Sequence, residues 1–171
     1  YYTEGSGETA DLYVANVAEN SRSEIITEDV LDFKFQGNDI VYRTSDLGLY
    51  QLQEDNASKR IATDVNNFDI LNNKIIYLEE DGTLYTWNQE NDEEAQIGHD
   101  VSSYQYFSNG QIYYLTTDED LFNGNVKLAS DISSYNSFYN TLIYAADDSL
   151  YMINDDTDEA NEELILADEI G

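Results

Sequence analysis

The sequence predicts an all-β protein of the β-propeller class, built from about five four-stranded antiparallel blades with the first blade incomplete. Three observations support this prediction: a motif that recurs at intervals of 35, 36 and 31 residues, several short apolar segments in every interval, and turn-forming residues between these segments. The repeat is compatible with an open propeller and with part of a larger one. A linear stack of four-stranded sheets is the main alternative.

The recurring motif is an aspartate followed by a β-branched residue and, four positions after the aspartate, by an aromatic residue. Asp29, Val30 and Phe33 form its first copy, and the later copies begin at Asp64, Asp100 and Asp131. A single repeat domain, 1–171, therefore divides into the units 1–28, 29–63, 64–99, 100–130 and 131–168. The first unit lacks the motif, which is why the first blade is predicted to be incomplete.

Each complete unit contains four apolar segments, enough for four short strands. The second segment of unit 64–99 is Ile75, Ile76 and Tyr77. Successive residues of a strand point to opposite faces, so three consecutive apolar residues require that both faces of the sheet are covered. Packing of a blade between its neighbours meets this requirement in every unit, which favours a propeller over a β-sandwich. Sustained helical spacing of apolar residues is not seen, so little helix is expected.

The charge balance excludes several classes of protein. The chain has 36 Asp and Glu against 7 Lys and Arg, a formal net charge of −29, yet it is 41% hydrophobic and 13% aromatic. This apolar content is enough for a core, whereas the negative charge repels nucleic-acid phosphates and anionic lipids. The lack of cysteine removes disulfides and thiolate chemistry. No apolar run approaches the ~20 residues that span a bilayer, so no membrane insertion is expected within this segment.

Two segments carry a resemblance to a known family. Ile112 to Asp118 with Leu121 and Phe122, and Ile75 to Asp81 with Leu84 and Tyr85, resemble blades of the low-density-lipoprotein-receptor-related propellers and of a bacterial propeller repeat family named after them. The resemblance implies an exported or surface-displayed bacterial repeat domain, with no chemistry to carry over.

The chain also departs from the receptor type, so receptor-type ligand binding is not inferred. It lacks the Pro-Gly pair before the first strand, and the position where the receptor blades have tryptophan is occupied by Arg43, Leu78, Leu115 or Ala145. The chain begins with Tyr1 and Tyr2 and has no basic and apolar leader, so it is expected to be the mature or excised part of a longer polypeptide.

Four aspartates and one tryptophan are the candidate binding residues. Asp29, Asp64, Asp100 and Asp131 would ring one rim of a propeller, where converging carboxylates could bind a cation or a sugar. The structural alternative is that they accept backbone N–H bonds where one blade passes to the next. Trp87 has no counterpart in the other units and lies beside the acidic segment 88–94, so it is predicted to be an exposed binding anchor.

Metal binding and catalysis have weaker signals. Asp155, Asp156 and Asp158 come nearest to a calcium loop, but the glycine and the spacing of such a loop are missing. A solvated loop is the competing interpretation. His99, the only histidine, precedes Asp100 and could form a general-base pair. Glu28, Thr63 and Ser130 stand at the equivalent positions, so no catalytic residue is predicted.

These patterns predict a non-catalytic binding or structural module that mediates protein–protein interaction or assembly, and the family resemblance implies an extracellular or cell-surface location in a bacterium. The partner is another protein, or a second copy bound through exposed β-edges, because the first unit lacks a strand and 169–171 begins a surplus one. The alternative is a carbohydrate-active or cation-dependent enzyme subunit that uses rim carboxylates. No cofactor is predicted, apart from a possible calcium ion.

Overall fold

The computed structural model describes residues 2–4, 9–14, 24–36, 39–53, 56–107, 109–138, 141–154 and 161–166, and these residues form β-strands and turns without a helix. The first sheet is six-stranded, and its strands lie in the chain order β1 (Tyr2–Glu4), β2 (Ala10–Val14), β3 (Glu24–Gln36), β4 (Asp39–Thr44), β5 (Leu49–Leu52) and β6 (Ser58–Ala62). No helix in this part of the chain is long and apolar enough to cross a membrane.

Three further sheets have four strands each, and in each of them neighbouring strands are also neighbours in the sequence. The second sheet contains β7 (Val65–Leu71), β8 (Lys74–Glu79), β9 (Leu84–Asn88) and β10 (Glu93–Gly98). The third contains β11 (Val101–Tyr106), β12 (Ile112–Thr116), β13 (Leu121–Asn123) and β14 (Val126–Ala129). The fourth contains β15 (Ile132–Phe138), β16 (Thr141–Ala146), β17 (Ser149–Asn154) and β18 (Asn161–Leu166).

The first sheet differs from the prediction at β3. The sequence predicts two strands there, one ending the first unit and one beginning the second, but β3 is a single strand of 13 residues. The two ladders merge because Val30 pairs with Ala10 on one side and with Thr44 on the other. The junction is still marked by Asp29, whose φ of 57° interrupts the extended backbone.

The recurring aspartates all adopt the same left-handed backbone conformation. Asp and Asn tolerate this region better than other residues with a Cβ, which explains why an aspartate stands here. The φ angles are 57°, 55°, 54° and 56° for Asp29, Asp64, Asp100 and Asp131. The backbone carbonyl oxygens of the first three accept hydrogen bonds from the N–H groups of Ser45, Glu80 and Thr117, the residues that follow the second strand of each repeat.

The β-branched residue after each aspartate is buried, and a β-bulge follows it. Val30, Val65, Val101 and Ile132 are at most 4% exposed. The register to the second strand shifts directly after each of them, so that one residue bulges out of the ladder. The aromatic residue of the motif then pairs with the tyrosine of the second strand, as Phe33 does with Tyr42 and Tyr104 with Tyr114. The motif thus encodes a corner, a buried anchor and a bulge.

A second left-handed position lies in the turn before the third strand. It is two residues before the leucine that is the first or second residue of this strand, and it is occupied by Leu47, Gly82, Glu119 or Asp148, with φ of 60°, 83°, 61° and 56°. The carbonyl oxygens of the first three accept the N–H groups of Val65, Val101 and Ile132, at 2.9, 2.8 and 3.0 Å. This bond ties the turn of one repeat to the first strand of the next.

The chain forms two compact units, Tyr1–Glu80 with Trp87–Glu93, and Asp81–Thr86 with Glu94–Gly171. The core of the first unit includes Leu12, Val30, Ile40, Tyr42 and Leu52. The core of the second unit contains Phe107, Tyr113, Leu121, Ile132, Leu142, Tyr144, Ala146 and Ile153. The second strand of unit 64–99 is covered on both faces, as predicted: Ile75, Ile76 and Tyr77 are at most 1% exposed.

Candidate binding site on the first sheet

The four candidate aspartates are exposed corner residues rather than members of one carboxylate group. Among the described residues, no group of three or more histidine or acidic side chains could hold a metal ion. Two of the side chains lie close to a neighbouring residue: the Thr63 hydroxyl donates to Asp64 at 2.8 Å, and His99 Nδ1 lies 2.7 Å from Asp100 Oδ2. His99 itself is exposed.

The expectation that Trp87 is an exposed anchor is wrong, because its side chain is only 5% exposed. The ammonium group of Lys59 lies 4.9 Å from the centroid of a Trp87 ring and also pairs with the carboxylate of Asp92 at 2.6 Å. The indole is therefore covered by a cation–π contact that a neighbouring carboxylate holds in place. Sequence reasoning missed this because Lys59 and Trp87 lie 28 positions apart.

The weak calcium candidates, Asp155, Asp156 and Asp158, lie outside the described residues. The structure therefore provides no geometry for a metal site at this loop.

Of the candidate residues, Asp29 lines a pocket. This open pocket of about 390 Å³ lies on the first sheet, between the first half of β3 and the strands β4 to β6. Its lining combines carboxylates, hydroxyls and aromatic rings, and consists of Thr27, Glu28, Asp29, Tyr42, Thr44, Ser45, Asp46, Tyr50 and Ser58. The corner conformation of Asp29 brings β3 beside the turn that contains Ser45 and Asp46, since the Ser45 N–H bonds to the Asp29 carbonyl oxygen at 2.9 Å.

Two stacked tyrosines form the aromatic part of the pocket. Tyr42 and Tyr50 are direct partners across β4 and β5, with ring centroids 5.4 Å apart and planes 13° apart. The same stack recurs in other repeats, as Tyr114 with Phe122 and Tyr144 with Tyr151. The second-strand tyrosine is thus mainly a core residue, and Tyr50 is the more accessible member of the first pair.

The pKa values of two pocket groups, Asp46 and Tyr42, are shifted in opposite directions. The pKa of the Asp46 carboxyl is lowered, first by the hydroxyl of Thr44 and then by the backbone N–H of Gly48, which donates to Asp46 Oδ1 at 3.2 Å. Burial raises the pKa of the Tyr42 hydroxyl, although hydrogen bonds with Ser58 and Thr27 oppose this effect. The carboxylate therefore stays ionised and the phenol stays protonated around neutral pH.

A cation of the chain itself already contacts this site. Arg60 is the cross-strand partner of Tyr50, and its guanidinium carbon lies 5.8 Å from the centroid of the Tyr50 ring. Its charge also contributes to the low pKa of Asp46. Of these pocket residues, sequence reasoning identified only Asp29, because Asp46 and Arg60 belong to a turn and a strand that look ordinary in the sequence.

The fold resembles those of solved β-propellers. The N-terminal domain of Nup159 has a TM-score of 0.59 and 15% identity, with 95% of this chain and 57% of that domain covered. Prp20p from Saccharomyces cerevisiae has a TM-score of 0.53 and 12% identity, with 80% and 48% covered. A chain of the Mitotic Checkpoint Complex has a TM-score of 0.53 and 13% identity, with 84% and 54% covered.

These similarities and the repeated corners define an all-β protein of the β-propeller class, which confirms the predicted fold class. The chain spans about half the length of these relatives, 48 to 57%. No family model and no curated protein matches the sequence. At 12 to 15% identity, the similarity concerns the fold alone.

Proposed function

We propose that this chain is a non-catalytic binding module that recognises a cationic surface of a protein partner. The observation that carries the proposal is the first-sheet pocket, in which Glu28, Asp29 and Asp46 stand beside Tyr50. The Asp46 carboxyl, with its lowered pKa, supplies a fixed negative charge, and the Tyr42 phenol, with its raised pKa, stays protonated. Such groups suit binding, whereas proton transfer needs groups that titrate near neutral pH.

The distribution of cations supports the same proposal. Four Lys and Arg residues are already paired with aspartates of this chain: Lys34 with Asp69, Arg43 with Asp32, Lys59 with Asp92 and Lys127 with Asp120. With 36 acidic residues against 7 Lys and Arg, the chain has about five carboxylates for every cation of its own. A partner with complementary charge would be steered toward this surface and would gain specificity.

The enzyme alternative has less support. A glycosidase needs one carboxylic acid whose pKa is raised so that it can donate a proton. Among the described residues, the carboxyls with clearly shifted pKa values are all shifted downward: Asp46, Asp81, Asp92 and Asp120. Hydrogen bonds to the ionised form are the first cause in each case.

Assembly with a second copy of the chain is less favourable than binding a different protein. A charge of −29 opposes self-association. The edge strand β10 also begins with four exposed residues, including Glu93 and Glu94, and charged side chains on an edge discourage strand pairing. Pairing through another edge stays a prediction, as does the extracellular or cell-surface location in a bacterium, which rests on the family resemblance.

Among the structural relatives, Prp20p is described by its binding to Gsp1p and histones, and Nup159 has been solved with Dbp5 bound. Propellers of this shape therefore serve as protein-binding modules in those cases. The present chain shares their fold but not their sequences.

An oligo-arginine peptide is a direct test. Isothermal titration calorimetry with the folded chain should give saturable binding with a defined stoichiometry at physiological ionic strength. The matched control is the same chain above its unfolding temperature, where the net charge is unchanged but the surface is lost. Equal binding by the unfolded chain, or complete loss of binding at physiological salt, would contradict the proposal, because it would reduce the interaction to unspecific charge attraction.

A further inference from the structure

The row Tyr42, Tyr50 and Arg60 crosses three neighbouring strands of the first sheet. Tyr42 pairs with Tyr50 and Tyr50 pairs with Arg60 in register, so the three side chains lie on one face. The Tyr42 ring is 2% exposed, whereas Tyr50 is only half-buried and Arg60 is exposed. A guanidinium group is therefore placed over an aromatic ring at the border of an acid-lined pocket of about 390 Å³.

Two positions that line this pocket, those of Thr27 and Glu28, carry different side chains in the other repeats. In the repeat around Tyr114, Gly98 and His99 stand where the first sheet has Thr27 and Glu28. Gly98 brings its backbone close to the Tyr114 ring, since an added Cβ would lie 2.7 Å from that ring. In the first sheet a threonine and a glutamate occupy these two positions and line the pocket with polar groups.

The pocket chemistry fits a single organic cation better than a sugar or a metal ion. The Tyr50 ring supplies a π-face, and Glu28, Asp29 and Asp46 supply carboxylates around it. The hydroxyl of Thr44 and the backbone N–H of Gly48 are already engaged by Asp46, so they fix that carboxylate rather than serve a ligand. Arg60 demonstrates that a guanidinium is accommodated over Tyr50.

We infer that this pocket receives one lysine or arginine side chain of the partner, and that Arg60 is a tethered competitor which the incoming side chain replaces over Tyr50 and beside Asp46. The inference rests on the proposed function and assigns the binding of the cationic partner to this pocket. It predicts a sharp specificity, because a partner binds only where its own cation outcompetes an internal one. Ligands that carry no positive charge gain nothing at this pocket.

The test uses N-acetyl-arginine methylamide, with its uncharged isostere N-acetyl-citrulline methylamide as the control ligand. Both are titrated into the full chain labelled with ¹⁵N, and amide chemical shifts are followed by NMR. Saturable shifts are expected for the arginine derivative at residues 27–29 and 44–50, with no saturation for the citrulline derivative. Equal binding of the two ligands, or shifts spread over all acidic segments, would overturn the inference.

Two pairs of variants separate competition from general electrostatics. Arg60→Gln removes the internal cation and should tighten binding about two- to five-fold, the size expected from one exposed cation–π competitor. Lys74→Gln makes the same change in net charge elsewhere and should have a smaller effect. Asp46→Asn should weaken binding, while Asp118→Asn, at the equivalent position of another repeat, should not. Weaker binding by Arg60→Gln would overturn the competitor role.

The two proposals fail in different ways. If the oligo-arginine peptide binds the folded chain but the pocket amides do not respond to the arginine derivative, the module binds cations elsewhere and only the pocket assignment is wrong. If the folded chain binds neither ligand at physiological salt, the proposed function is wrong as well.

Discussion

Tyrosines are the largest side chains of the buried second strands. Tyr42, Tyr77, Tyr113 and Tyr144 are at most 2% exposed. Burial brings a phenol into a place where its ionised form is disfavoured. The pKa values of Tyr42, Tyr114 and Tyr135 are raised above their ordinary value, with desolvation as the first cause in each case.

These raised pKa values predict alkaline unfolding. In the unfolded chain the phenols lose their protons around pH 10, whereas the folded chain holds them to higher pH. Their contribution to stability is thus fully present below about pH 10 and is lost as pH rises through the folded-state pKa values. Circular dichroism should show a loss of β-structure above that pH, together with the rise of tyrosinate absorbance.

Tyr114→Phe tests this prediction, because it keeps the ring and removes one titrating hydroxyl. Little is lost with that hydroxyl, since its hydrogen bond to the Ile97 carbonyl oxygen is long, at 3.4 Å. The alkaline midpoint of this variant should move upward. Tyrosinate absorbance that rose at the ordinary pKa while the β-signal stayed intact would show that the phenols are accessible in the folded chain.

At the residue scale, the sequence predicts positions better than roles. The spacing of Asp29 and its equivalents located four real corners, but the reason for aspartate there is its backbone conformation, which a sequence pattern does not reveal. The acidic neighbours 88–94 predict an exposed Trp87, which the structure contradicts. Its covering residue, Lys59, comes from another sheet, and only tertiary structure brings the two together.

The turn between the second and third strands is the element that joins successive repeats. In three repeats, the carbonyl oxygen of its left-handed residue accepts a hydrogen bond from the first strand of the next repeat. Glycine fits this conformation without strain, whereas leucine does not. Leu47, with a φ of 60°, is therefore an unfavourable residue at a geometry that recurs in the repeats of this chain, and Gly82, with a φ of 83°, is a favourable one.

Two opposite substitutions test this element. Leu47→Gly should stabilise the chain by about 0.5–1 kcal/mol, because the backbone strain is released. Gly82→Ala should destabilise it by about 1 kcal/mol or more, since its new Cβ would take a left-handed conformation and would lie 3.3 Å from the backbone nitrogen of Val101. Urea unfolding of the two variants and the parent chain measures both changes.

Leu47→Asn serves as a second variant, since asparagine accepts positive φ and keeps a side chain. It should be at least as stable as the parent. Loss of stability in both Leu47 variants, with a neutral Gly82→Ala, would show that side-chain packing rather than backbone conformation governs this turn.

The positions of the strands are more predictable from the sequence than whether two successive strands merge into one. The four segments per unit and the meander order follow from short-range spacing and turn residues, which the sequence displays directly. The merging of two predicted strands into β3 could not be foreseen, because it depends on Val30 pairing with Ala10 and Thr44 at once. The two pairings involve segments 20 and 14 positions away.

For the whole molecule, charge and repetition have separate consequences. Repetition sets the fold, since each thin sheet can bury its apolar faces only against further sheets. The charge of −29 sets the choice of partner, because it disfavours nucleic acid, anionic lipid and a second copy of the same chain. The pocket combines both features, since recurring positions supply Asp29, Asp46 and the stacked tyrosine pair, while Thr27 and Glu28 differ from the residues at the equivalent positions of the other repeats.

The central claim is that the chain is an array of equivalent four-stranded repeats that meet at left-handed corners, with the first, incomplete repeat merged into the first sheet. Amide hydrogen exchange, measured residue by residue, tests it most directly. The account predicts maxima of protection on the second strands, β4, β8, β12 and β16, in step with the repeat, and fast exchange in the turns that follow them. Protection that ignored the repeat, or rapid exchange in the second strands, would contradict it.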